Sequence, residues 1–311
     1  MTGFSASNTR NPVKLYSGAL LFDMNEKGEM TSLTTVSRDA APVIDRVARQ
    51  SRFAAFSPVA LRLMRLINEE ASFADLARLI TTDPSISTEV LRLSNSAVFN
   101  LRAEIKSILH ALAIIGRDRT EMIVFTACLW RFLPRGPGSE RIRHCWRHSL
   151  ASALLCEHMI DCVARMDHAY TAALLHGVGQ LALISEYPRQ YDRVLEVATE
   201  EGHSVCDLEE AAFGANSFEI TEALFSRWSM PDDLSQCATG RLVSPKNREI
   251  ADIVRAGCHV ADKLGFTVCP HGSHHRLDSA APSPFTQRLL GSPWLLEVIA
   301  EKVNKVECSL I

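Results

Sequence analysis

The residue with the most chemistry to offer is His176, set in an otherwise apolar stretch, Thr171-Ala-Ala-Leu-Leu-His176-Gly177-Val-Gly179-Gln180-Leu-Ala-Leu-Ile184. Read as one helix, the stretch places Leu174, Leu175, Val178, Leu181 and Ala182 at intervals of three and four, a buried stripe with His176 lying against it. An imidazole followed directly by a carboxylate gives a hard or borderline cation adjacent nitrogen and oxygen ligands, as a metal-assisted hydrolase needs. Here the next residue is Gly177, so the oxygen is missing.

A second cluster, Cys269-Pro-His271-Gly-Ser-His274-His275, packs four zinc-competent side chains into seven residues. It is a single patch in a polar loop, whereas strong zinc signatures pair two knuckles across a defined gap, so a surface tract is the preferred reading. Gly177-Val-Gly179 is too short for a phosphate loop and lies in a helix rather than after a strand. Cys128, Cys156 and Cys258 lie in apolar helical runs and read as small core hydrophobes; Cys145, between His144 and Trp146, is grouped with them less securely.

The elements that must position these residues are helical. Of 311 residues, 47% are hydrophobic and 22% charged, and the formal net charge is −3. That is enough apolar material for one large core or two modest ones, with no field to draw in nucleic acid or an anionic membrane. Nine cysteines without tight pairing suit a reducing cytoplasm, and the N-terminus lacks the order of a signal peptide. Arg46, Arg49, Arg52, Arg62 and Arg65 recur along the first helices and read first as a solvated face, although such a face also suits an acidic partner or a nucleotide.

Helix starts are marked at Ser57-Pro58, Ser72 with Asp75, Asp83-Pro84, Ser107, and Asn216 with Glu219. A helix from Ser107 stops at Gly116, and another covers Asp118 to Leu133. Together they have a helix-turn-helix outline, but Met122 to Trp130 is apolar on every side and belongs to an interior, not to a DNA groove. Pro134-Arg-Gly-Pro-Gly-Ser139 divides two helical lobes. Further helices are expected over Ile142 to Val163, Pro188 to Thr199, Cys206 to Phe213, Asn216 to Trp228, from Pro231, Asn247 to Leu264, and Pro293 to about Val306, with a loop from Phe266 to Pro284. Residues 1–49 form a leader in which a hairpin turning at Asn25–Gly28 is expected.

Two blocks in this order resemble the HDOD family, the HD-related output domain of bacterial signalling proteins. The first is Asp83-Pro-Ser-Ile-Ser-Thr-Glu-Val-Leu-Arg-Leu-Ser-Asn95-Ser96-Ala97 with Ser107-Ile-Leu-His-Ala-Leu-Ala-Ile-Ile-Gly116. The second is Trp146-Arg-His148-Ser149, Leu175-His176-Gly177, Phe213-Gly214 and Trp228-Ser-Met-Pro231. The likeness covers roughly residues 50 to 265. It implies an all-α, two-lobed fold: a first lobe over 50–135, an HD-like lobe over 140–265, and residues 266–311 completing the domain.

The resemblance also implies descent from phosphohydrolases that hold metal through a histidine, a His-Asp pair and a later aspartate. His148, His176 and Asp262 match three of these positions. Gly177 stands for the pair's carboxylate, Gln180 for a common lysine and Ser217 for a histidine, and the histidines usual beyond Pro231 are absent around Thr239-Gly240. The expectation is a vestigial pocket in which both histidines are buried, neutral and hydrogen-bonded to a carbonyl or to each other. His148, His176 and Asp262 remain a three-ligand alternative for zinc, but no metal and no cofactor are expected. Such a chain would act without turnover, binding a protein partner or small effector in this pocket or between the lobes, with cyclic-dinucleotide enzymes or two-component proteins as associates. The rival expectation is a residual metal-dependent phosphohydrolase acting on nucleotides.

Overall fold

The computed structural model describes residues 19–24, 30–36, 40–96, 104–133, 139–159, 168–241, 243–268 and 283–310. Near the N-terminus, β1 (Ala19–Met24) and β2 (Met30–Val36) pair antiparallel, with Leu20 opposite Thr35 and Phe22 opposite Leu33. The turn at Asn25–Gly28 lies outside the described residues. The other elements are helices: α1 (Ala40–Gln50), α2 (Pro58–Asn68), α3 (Phe73–Thr81), α4 (Pro84–Ser94) and α5 (Ile108–Phe132) come first. They are followed by α6 (Glu140–Glu157), α7 (Ala169–Leu175), α8 (Val178–Glu186), α9 (Pro188–Glu201), α10 (Val205–Phe213), α11 (Ser217–Arg227), α12 (Asp232–Thr239), α13 (Arg248–Lys263), α14 (Pro284–Leu290) and α15 (Pro293–Leu310).

The caps are where local chemistry puts them. Ser57, Ser72, Asp83 and Ser107 each accept a hydrogen bond from a first-turn backbone N–H, satisfying donors the helix itself cannot. Asn216 and Glu219 form a reciprocal capping box. Asn95, just past α4, ties down the segment before α5 by donating to the Ile105 carbonyl and accepting from the Ile105 N–H, at 2.9 and 2.7 Å. The two helices expected around Gly116 are both present, sharing the label α5 but separated where Gly116 leaves the helical region at φ 83°, ψ 177°. A side chain would meet no atom within 4 Å there, so glycine is required by the backbone and not by crowding.

One apolar core runs through both lobes. Every residue from Met122 to Trp130 is buried, as an interior helix requires. Across the lobes, Trp130 meets Trp146 at 4.6 Å between ring centroids and Phe56 meets Trp228 at 4.7 Å; the Trp228 indole donates to the Phe53 carbonyl at 2.9 Å. Helix α15 straps the two together: the Trp130 indole donates to the Leu310 carbonyl, and Arg143 and Arg147 both reach the buried Glu307 carboxylate. Arg46, Arg49, Arg52, Arg62 and Arg65 are all exposed. Among the described residues, no helix is long and apolar enough to cross a membrane.

Candidate functional site

His148 comes from the middle of α6, whose stripe of Ile142, Cys145, Trp146, Leu150, Ala153 and Leu154 is buried throughout. That helix ends at Glu157, short of the expected Val163, and residues 160–163 lie outside the described residues. The stretch around His176 is not one helix. It breaks after Leu175, and α8 starts anew at Val178 with Gly177 at its N-cap. The break sets the imidazole: His176 Nδ1–H donates to the Ala173 carbonyl at 2.6 Å, which leaves Nε2 with its lone pair free of that bond. The two imidazoles meet edge to face, ring centroids 5.1 Å apart and planes at 62°.

Helix α13 closes the site. Gly257 lets it approach α6, since a Cβ there would lie 2.9 Å from both Cys156 Sγ and the Ser152 carbonyl oxygen. The next residue, Cys258, is thereby brought to the histidines: one ligand atom from each of His148, His176 and Cys258 falls within 4.8 Å of the others. One turn later, Asp262 Oδ1 lies 3.3 Å from His148 Nδ1. Burial by itself disfavours a charge on His148, but the Asp262 carboxylate and Cys258 outweigh it and push the imidazole up to about 10. The expectation of two neutral histidines is therefore corrected for His148, because a carboxylate shares its enclosure. Cys258, read in the sequence as a small core hydrophobe, is buried in that core and also adjoins the two histidines.

Gly177 stands beside this group. A Cβ built on it would lie 2.7 Å from Ser149 Oγ, too close unless that hydroxyl shifts, and in ordinary contact with Cys145 Sγ at 3.5 Å, both side chains of α6. Gly179 is more constrained: its Cβ would come within 2.0 Å of the Ser217 carbonyl oxygen, where α8 packs on α11.

Gln180 and Ser217 belong to a different structure, a buried polar chain. Cys145 Sγ–H donates to Gln180 Oε1 at 3.3 Å, Gln180 Nε2 donates to the Tyr191 hydroxyl at 2.8 Å, and that hydroxyl donates to Glu209 Oε1 at 2.5 Å. The Ser217 N–H donates to Glu209 Oε2 at 2.7 Å. Glu209 is fully buried, and desolvation raises it to about 7 even though the bonds from Tyr191 and Ser217 pull the other way. The same burial pushes the Cys145 and Cys156 thiols up, and Cys128 to about 12, so these three are inert core thiols.

In front of His176 and Cys258 opens a cavity of about 360 Å³. It lies within the second lobe. Its wall includes Asn216 and Glu219 from α11, Thr239 and Gly240 at the end of α12, and Arg241 and Arg255. The arginines are partnered: Arg241 by Glu219 and Glu222, each at 3.5 Å, and Arg255 by Asp252 at 2.8 Å. Of the residues singled out in the sequence, His148, His176, Gly177 and Asp262 are thus brought together, while Gln180 and Ser217 are turned into the polar chain. Cys269, His271, His274 and His275 lie outside the described residues. Sequence reasoning missed Glu209, although Val205, Glu209 and Phe213, four apart, sit on one buried face of α10.

The HDOD domain family matches residues 53–240, more than half of the chain, and the chain belongs to that family. Cys258 and Asp262 fall beyond the matched residues. In fold, the chain is similar to an HDOD domain protein of unknown function from Geobacter sulfurreducens, at TM-score 0.64 and 20% identity over 88% of this chain and 98% of that one. It is also similar to a protein of Shewanella amazonensis SB2B provisionally assigned as a phosphohydrolase (TM-score 0.60, 17% identity, 85% and 98% covered). A protein of Marinobacter aquaeolei VT8 provisionally assigned to signal transduction is comparable (TM-score 0.60, 17% identity, 89% and 70% covered). An uncharacterised protein of Treponema pallidum (strain Nichols) is 24% identical over 176 residues, which span 55% of this chain and 34% of that longer protein.

Proposed function

We propose that this chain is a non-catalytic regulatory module of bacterial signalling that binds a small effector in the cavity before His176 and passes the signal to a protein partner. The observation that carries this reading is Gly177 and what surrounds it. Phosphoester hydrolysis on an HD-type site uses a cation to activate water and to take up phosphoryl charge. The carboxylate that would clamp the cation is absent, and a Cβ at position 177 would already press on Ser149 Oγ at 2.7 Å. A cavity of about 360 Å³ is at the small end of ligand pockets. Its arginines are already neutralised by neighbouring carboxylates, which favours a compact, weakly charged effector over a polyphosphate.

The test is turnover. Purified full-length chain is incubated with mononucleotides and cyclic dinucleotides in the presence of magnesium, manganese or zinc, and products are separated chromatographically. No product above the protein-free blank is expected. Product formation that disappears in His176→Ala would replace this reading with the metal-dependent phosphohydrolase.

A further inference from the structure

The metal set of the phosphohydrolases that the resemblance points to is built from histidines and aspartates, but the donors that converge here are two imidazoles and a thiol. His148, His176 and Cys258 come from α6, the α7–α8 junction and α13, three elements locked in one core, and their ligand atoms lie within 4.8 Å of one another. Bonds of about 2.0–2.3 Å at tetrahedral angles put ligand atoms roughly 3.5 Å apart, within side-chain adjustment of that spacing. The nitrogens are arranged as in metal-binding histidines. His176 Nδ1 is committed to the Ala173 carbonyl, and His148 Nδ1 lies 3.3 Å from Asp262 Oδ1, the kind of backing that metal-bound imidazoles have.

We propose that His148, His176 and Cys258 form a three-ligand site for a thiophilic divalent cation, zinc above all, with Asp262 orienting His148 instead of touching the metal. Nitrogen and sulfur donors select zinc over magnesium or manganese, which prefer oxygen. The site borders the cavity, which His176 and Cys258 both line. The proposal uses the same pocket as the reading above and names an occupant for it, but it does not require that reading: a cation held here with no carboxylate ligand anchors an effector in the cavity whether or not it also activates water.

Cobalt is the probe. Full-length chain freed of metal by chelation is titrated with Co²⁺, and one equivalent is expected to give tetrahedral d–d bands together with a sulfur-to-cobalt charge-transfer band, both abolished by competing Zn²⁺. In Cys258→Ser, a near-isosteric change whose folding is checked by circular dichroism, the charge-transfer band is expected to vanish and zinc affinity to fall at least tenfold. Asp262→Asn is expected to keep the band while weakening zinc by about 10–100-fold, the usual effect of losing a carboxylate behind a metal-bound histidine. Absence of cobalt binding, or a band that survives Cys258→Ser and instead disappears when Cys269 is changed, would overturn the site. Either result leaves the non-catalytic reading standing, because only turnover decides that.

Discussion

His148 Nδ1 lies 3.3 Å from Asp262 Oδ1, so the buried imidazole at the centre of the pocket shares its enclosure with a carboxylate. With burial opposing the charge and Asp262 and Cys258 favouring it, His148 rises from 6.5 to about 10. The native state then holds a proton that the unfolded chain releases. The associated stability is complete below pH 6.5 and is lost as pH climbs toward about 10. Urea denaturation of the metal-free chain between pH 6.5 and 7.5, below the ordinary thiol range, is expected to show stability falling with pH by about 1 kcal/mol. Asp262→Asn is expected to flatten that slope; an unchanged slope would remove Asp262 as its source.

Gly177→Asp tests whether the lost carboxylate is a single substitution away from restoration. The Gly177 backbone, at φ −87°, ψ 6°, suits any residue, so the obstacle is space: Ser149 Oγ stands 2.7 Å from the new Cβ. Overpacking of this kind costs about 1–3 kcal/mol. Adding Ser149→Ala removes the obstructing oxygen and is expected to return most of that stability, read as the midpoint of a urea melt. Independent, additive effects of the two changes would mean that Ser149 does not occupy the position.

What the sequence reveals of this molecule depends on how far apart along the chain the interacting partners lie. Helix caps at Ser57, Asp83 and Asn216 are legible because the partners lie within three residues along the chain. His148 and His176 stand out because a histidine in an apolar stretch is unusual. Cys258 does not, because a cysteine on a buried helix face reads the same whether it packs or binds, and only the close approach at Gly257 brings it to the histidines. The break at His176–Gly177 was hidden for a related reason: the apolar period runs unbroken through both α7 and α8. Helix α1 was missed because its segment is short and, among the described side chains, only Val43 and Val47 are large and buried.

At Gly116 the constraint is conformational. With φ 83° and ψ 177°, the residue occupies a region that side-chain-bearing residues avoid, and nothing lies near the missing Cβ. Gly116→Ala is therefore expected to cost about 1–3 kcal/mol of backbone strain, with no repair from trimming any neighbour. Thermal unfolding of this variant, beside Gly177→Ala, separates the two kinds of glycine. A neutral Gly116→Ala would show that α5 straightens at no cost.

Glu209 carries a different pH signature. Both its oxygens are used, one by the Tyr191 hydroxyl and one by the Ser217 N–H at the start of α11, whose unpaired amides favour a negative charge. Desolvation nevertheless dominates and lifts the carboxyl from 4.5 to about 7. The native state thus binds this proton more tightly than the unfolded chain does. Stability from this group is greatest below pH 4.5 and declines until pH passes about 7, a window below the one set by His148. Glu209→Gln is expected to abolish the decline when urea midpoints are compared at pH 5, 6 and 7. Its amide keeps only one oxygen for two donors, so it is also expected to be less stable at pH 7 by about 1–3 kcal/mol. Because Ser217 adjoins Asn216 at the cavity wall, ionisation of Glu209 acts on the helix end that borders the pocket. Parallel profiles for Glu209→Gln and the unaltered chain would mean that the carboxyl does not change its charge in this range.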